Sequence, residues 1–182
     1  MTWGGFDPQP WLEGRTIRLR PLASQDRDAL YAAASDPRVW DQHPARNRHD
    51  RAVFDPYFDF LLSRKAALCV LSRDTDRVIG TSSFYLTPET PPAASIGFTF
   101  LARDRWGGPT NAEMKALMLD HMFTVFDTVS LHIAPGNLRS QKATEKLGAV
   151  RMADRTLDLG NGPEDLVTYA LDCATWQAMA TP

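Results

Sequence analysis

At 182 residues the chain has the length of one domain and can bury a core without disulfide or metal support. Its composition, 43% apolar and 23% charged with a formal net charge of -2, is ordinary for a globular protein and gives no basic field for gripping nucleic acid. Two cysteines, Cys69 in an apolar run and Cys173 near the end, are too few for a disulfide framework or a zinc site, and no stretch approaches the roughly 20 apolar residues of a membrane span. These features predict a cytoplasmic protein with reduced cysteines, no metal, and no nucleic-acid or membrane partner.

A single domain over 1–182 is expected, with 1–14 as a leader whose Trp3, Phe6 and Trp11 pack over the sheet or a partner subunit. Thr16 to Arg20 alternates with period two and stops at Pro21, which reads as a strand, and Ser24 is placed to cap a helical stretch through Ala34. Asp36-Pro37 ends that stretch. A polar, basic segment from Asp41 to Arg51 precedes a second helix with Phe54, Phe58 and Leu61 on one face, where Pro56 is tolerable only in the first turn. Two strands, Ala67 to Leu71 and Val78 to Leu86, form a hairpin around Asp74-Thr75-Asp76, and Gly80 suggests a bulge.

After a proline-rich loop at Pro88, Pro91 and Pro92 come a strand from Ser95 to Leu101 and a helix from about Thr110 to Phe126. That helix carries Met114, Leu117, Met118, His121, Met122 and Val125 on one stripe. Ile133 to Gly148 then reads as the end of a strand, a turn and a helix capped by Asn137 and closed by Gly148, with Ser140 in the first turn. Strands at Ala149 to Met152 and Asp165 to Leu171 and a short C-terminal helix complete the chain. The predicted fold is α/β (α+β), with a mixed, mostly antiparallel sheet of six to seven strands flanked by helices.

Two segments carry candidate chemistry. In Arg103 to Asn111, Gly107 and Gly108 let backbone approach a ligand, and the following helix start supplies free N–H groups, which suits a pyrophosphate. Thr110 with Glu113 has the spacing of a capping box. The bland reading of this loop is a capped helix after a glycine turn. The second segment is the strand-to-helix edge at Asn137 and Ser140, where α/β proteins commonly hold ligands.

Taken together, Ile96-Gly97-Phe98, Trp106-Gly107-Gly108, Asn137-x-x-Ser140 with Glu145-Lys146-Leu147-Gly148, and Thr16 to Leu22 resemble the GNAT acetyltransferase superfamily, in the branch similar to the ribosomal-protein N-terminal (Rim-type) acetyltransferases. The resemblance implies direct transfer of an acetyl group from acetyl-CoA, a co-substrate, to the primary amine of a small molecule or protein N-terminus. It implies that Thr99, Phe100, Leu101, Trp106, Gly107, Gly108, Thr110, Asn111, Asn137 and Ser140 bind the coenzyme. Ser140 would also protonate the leaving thiolate. Pro109 and Asn111 stand where the family's loop usually carries glycine or alanine, and Pro109 has no N–H to offer a phosphate.

For the general base, the resemblance implies that His43 lies in the segment bordering the acceptor site, which makes it the candidate, with water as the alternative. His121 reads as a core histidine, and His132 faces either the far side of the sheet or the cleft. Arg46, Arg48, His49 and Arg51 could meet an acidic acceptor or a coenzyme phosphate, although a charge run is ordinarily a solvated face. A homodimer is compatible with the pattern. The rival reading is a non-catalytic acyl-CoA-binding or interaction module on the same fold.

Overall fold

The computed structural model describes residues 3–88, 91–160 and 162–180. Residues 1–2, 89–90 (in the proline-rich loop), 161 and 181–182 lie outside the described set, although the expected single domain includes them. The strands are β1 (Leu12–Glu13), β2 (Ile17–Pro21), β3 (Ala67–Ser72), β4 (Val78–Leu86), β5 (Ala94–Leu101), β6 (Thr128–Ile133), β7 (Val150–Arg151), β8 (Arg155–Asp158) and β9 (Pro163–Asp172). The helices are α1 (Arg27–Ala34), α2 (Arg51–Ser63), α3 (Thr110–Met122), α4 (Leu138–Glu145) and α5 (Cys173–Ala180). Sheet order is β1-β2-β3-β4-β5-β6-β9-β7, with β8 paired to β9; every pairing is antiparallel except β5 with β6.

The mixed sheet matches the expected class, and nine strands replace the six or seven anticipated. Those missed, β1 and β8, are short and bury little: Leu157 is the buried residue of β8. Such strands leave a weak period-two signal and are held by pairing with a neighbour.

β3 is buried along its whole length because helices cover both faces of the sheet. Leu68 and Val70 enter the core beneath α3, while Ala67, Cys69 and Leu71 enter the core beneath α1 and α2. On α3, Met114, Met118 and Met122 are buried as the stripe requires. That helix stops at Met122, four residues short of the expected end, and Val125 is exposed. Within the leader, Phe6 packs edge-on against Phe84, its ring 5.1 Å away, and His121 contacts the Asp7 carbonyl at 2.7 Å, whereas Trp11 is exposed.

Three local expectations are corrected. Ser24 does not cap α1: it opens a 3₁₀ turn, and buried Asp26 ties the entry by accepting the Ala23 N–H and a two-pronged bond from Arg20. Pro56 lies inside α2 rather than in its first turn, because Asp50 caps the helix earlier by accepting from the Ala52 N–H. Burial of Phe54, Tyr57, Phe58 and Leu61 offsets the cost of an interior proline, about 3 kcal/mol. Glu113 does not close a capping box on Thr110; its carboxylate accepts from the Thr16 N–H and hydroxyl and anchors β2 to α3.

Candidate active site

β5 and β6 run parallel and pair only at Ser95 with Ser130. Beyond that point they diverge, so the edge of β5 from Gly97 to Leu101 that faces β6 has no ladder partner. On the other edge of β5 the β4–β5 register shifts between Thr81 and Ser83, and Phe98 takes a φ of +51°. That backbone is strained for a residue with a Cβ and is held by its surroundings. Gly97 next to it has no room for a side chain, since a Cβ would stand 2.8 Å from Tyr85 Cε1.

The split between the strands opens into a cavity of about 1220 Å³ that runs from the β6–α4 edge to the segment before α2. Thr99, Phe100 and Leu101 line it from β5, and Trp106, Gly107, Gly108 and Asn111 line it from the loop and first turn of α3. Asn137, Ser140 and His43 complete the expected set. Thr110 is the exception: it is buried and lies off the cavity wall. Gly107 adopts a φ of +74°, and a Cβ at Gly107 or Gly108 would meet open space, so the loop has the freedom to approach a ligand.

Pro109 occupies the cap position of α3 with helical backbone, and the first intrahelical bond runs from the Glu113 N–H to its carbonyl. The N–H groups of Thr110, Asn111 and Ala112 therefore precede the ladder, and the proline removes one donor from the loop while fixing the helix start. Across the cavity, the Asn137 side chain accepts the Ser140 N–H at 3.2 Å, the expected cap, and Gly148 leaves the helix with a φ of +82°. Trp106 joins the two sides: its indole N–H donates to the Leu101 carbonyl at 3.0 Å, and the guanidinium carbons of Arg139 and Arg103 stand 3.7 and 4.6 Å from its ring.

Lys115 was not singled out by the sequence reading. It lies one turn beyond Asn111 on the same face of α3, an i, i+4 relation that marks it as cavity-facing once Asn111 is placed. Its ammonium donates to the Thr99 hydroxyl at 3.2 Å, and burial pushes its pKa down to about 7. His132 faces the cleft, with Nδ1 2.8 Å from the Tyr85 hydroxyl, and burial pushes that phenol up.

The surroundings of His43 disfavour the general-base role expected of it. Burial, then the positive charges of Arg48 and Arg139, hold its pKa at about 3, too low to draw a proton from an amine near neutrality. Its Nδ1 is moreover committed to the Ala45 N–H at 3.0 Å.

Residues 16–150 match a family model described as an acetyltransferase (GNAT) domain. Among solved structures, a GCN5-related N-acetyltransferase from Brucella melitensis superposes with a TM-score of 0.78 at 21% identity, over 94% of this chain and 82% of that one. A candidate acetyltransferase from T. thermophilus does so with 0.70 at 29% identity, over 92% of each chain. RimJ of Mycobacterium smegmatis, solved in complex with CoA-disulfide, gives 0.65 at 18% identity over 91% and 87%. No curated protein matches the sequence.

Proposed function

Because the chain belongs to the GNAT acetyltransferase family, we propose that it transfers an acetyl group from acetyl-CoA directly to a primary amine bound in the same cavity. The observation that carries this reading is the split between β5 and β6, an unpaired strand edge opening beside two helix N-termini. The coenzyme supplies an activated acetyl thioester. An extended pantetheine arm suits the free edge of β5, in the manner of an added strand. The first-turn N–H groups of α3 and the freedom at Gly107 and Gly108 suit a pyrophosphate.

In this reading the backbone of β5 beyond Gly97 polarises the thioester carbonyl, and it is already in position before substrate arrives. Asn137 holds the pantetheine arm through its free amide NH₂, since its oxygen is used in the cap. Ser140, on the cavity wall, donates a proton to the departing thiolate. The amine's proton passes to cavity water, because His43 is too weak a base. The acceptor occupies the half of the cavity walled by Trp40, Tyr57, Phe60 and Phe98.

Calorimetry with acetyl-CoA, followed by thioester-consumption assays over an amine panel, tests the reading. Saturable binding with acceptor-dependent turnover is expected. Absence of heat at millimolar acetyl-CoA would overturn it, while binding without turnover on any amine would favour the non-catalytic module.

A further inference from the structure

Of the basic residues between Asp41 and Arg51, Arg48 alone is drawn almost wholly inside, at 7% exposure, where it lines the acceptor half of the cavity. The face of its guanidinium lies 3.8 Å from the Tyr57 ring centroid and 5.6 Å from that of Trp40. These contacts satisfy the π face. They leave the N–H edge, which carries five donors, without an acceptor. Among the described residues no carboxylate or carbonyl accepts from it. Glu164, the carboxylate on the cavity wall, is exposed and forms no ion pair with it.

Among the described residues, the sole polar neighbour within bonding distance is His43 Nε2, 3.3 Å from Arg48 Nη1. That contact is a mismatch. His43 Nδ1 accepts the Ala45 N–H, so in the neutral ring the single proton sits on Nε2 and meets a guanidinium N–H where a lone pair would be needed. Protonation of the ring would add a third positive charge beside Arg48 and Arg139, and burial with those charges keeps the ring neutral. Two donors therefore face each other at the cavity wall with no acceptor for either among the described residues. The guanidinium edge faces the cavity, and an anion there would accept from both groups.

We propose that Arg48 and His43 form an anion subsite in the acceptor half of the cavity, and that the acceptor is a small primary amine carrying a carboxylate. This inference rests on the acetyl-transfer reading. The carboxylate oxygens accept from the guanidinium edge and from His43 Nε2–H, in the paired geometry that arginine favours. Trp40, Tyr57, Phe60 and Phe98 cover the apolar part of the acceptor. An amino acid has this combination of groups. His43 thereby acts as a positioning group for the acceptor in place of the base role.

The test uses the full chain and three matched pairs of amines that differ by the carboxylate: L-phenylalanine and 2-phenylethylamine, L-leucine and isoamylamine, L-methionine and 3-methylthiopropylamine. At least one carboxylated member is expected to exceed its partner in kcat/KM by roughly 30-fold or more. In Arg48→Gln the ratio falls toward unity through KM, and Arg48→Lys restores part of it. Coenzyme calorimetry and circular dichroism on each variant report folding; if Arg48→Gln does not fold, the wild-type ratio and Arg48→Lys decide. A wild-type ratio at or below unity in every pair, turnover of none of the six amines, or a ratio unchanged in a folded Arg48→Gln overturns the proposal. Acetyl-CoA binding with preference for the decarboxylated amines defeats this inference and leaves acetyl transfer standing, whereas no acetyl-CoA binding defeats both.

Discussion

Replacing Lys115 by Met should change how stability depends on pH more than it changes stability at any single pH. The ammonium end is desolvated against β5 and has no carboxylate partner among the described residues, although the side chain keeps some contact with the cavity. Its folded pKa is about 7, against 10.5 for the free side chain. Between those values the unfolded chain holds a proton that the folded chain has released, so wild-type stability rises with pH across that window. Below about 7 the full penalty of a buried charge is present; above about 10.5 it is gone.

The maximal slope for one proton is ~1.4 kcal/mol per pH unit, and cavity water lowers it somewhat. Methionine carries no charge, so the difference between the two proteins isolates this group. Against the variant, wild type should gain about 2 kcal/mol from pH 7.5 to 9.5, which for a chain of this length shifts the difference in Tm by about 4 to 8 °C. The variant loses the bond to the Thr99 hydroxyl, worth about 1 kcal/mol, so it should be the more stable protein near pH 6.5 and the less stable near pH 10. Thermal denaturation of both proteins in matched buffers from pH 6 to 10 reads this directly. A difference in Tm that stays flat over that range would refute the desolvated-ammonium reasoning.

Ser140→Ala should lower kcat more than it raises the KM for acetyl-CoA; steady-state kinetics showing an unchanged kcat would remove Ser140 as the acid. Asn137→Ala removes the cap on the Ser140 N–H and should cost about 1 kcal/mol, seen as a Tm lower by about 2 to 4 °C, together with weaker coenzyme binding in calorimetry. Asp26→Ala leaves Arg20 without its two-pronged partner in a largely buried setting and should cost about 3 kcal/mol by denaturant titration, a far larger loss than Ser24→Ala. At Gly80 a Cβ would collide with the Phe100 carbonyl oxygen and stand 2.9 Å from Leu101 Cδ2, so Gly80→Val should lower Tm steeply or leave the protein insoluble on expression.

Much of the sheet was legible because its signals are local. The hairpin of β3 and β4 follows from two apolar runs around Asp74 to Asp76, and the bulge beside Gly80 from one glycine in a strand; both are present, the register shifting between Val70 and Leu71. The cap at Asn137 and the helix end before Gly148 follow from side-chain chemistry within a few residues. The capping box at Thr110 failed because Glu113 found the more distant Thr16, a choice that helix spacing does not register. Pro56 was misplaced for a related reason, since long-range burial of aromatic neighbours outweighed a local penalty.

The family, the strand and helix order around the site, and the two segments that meet there are legible in the chain, because spacing and capping act over a few residues and survive in one dimension. The character of each charged group depends instead on three-dimensional packing. Arg48 and Arg46 look alike in the chain, yet one is buried against Tyr57 and the other exposed. His43 reads as a base until burial and two arginines depress its pKa, and Lys115 acquires its character from desolvation. Burial and charge proximity are sums over residues far apart in sequence, so the loop and helix starts at Gly107 and Asn137 were readable from motifs and the surroundings of Arg48 and His43 were not.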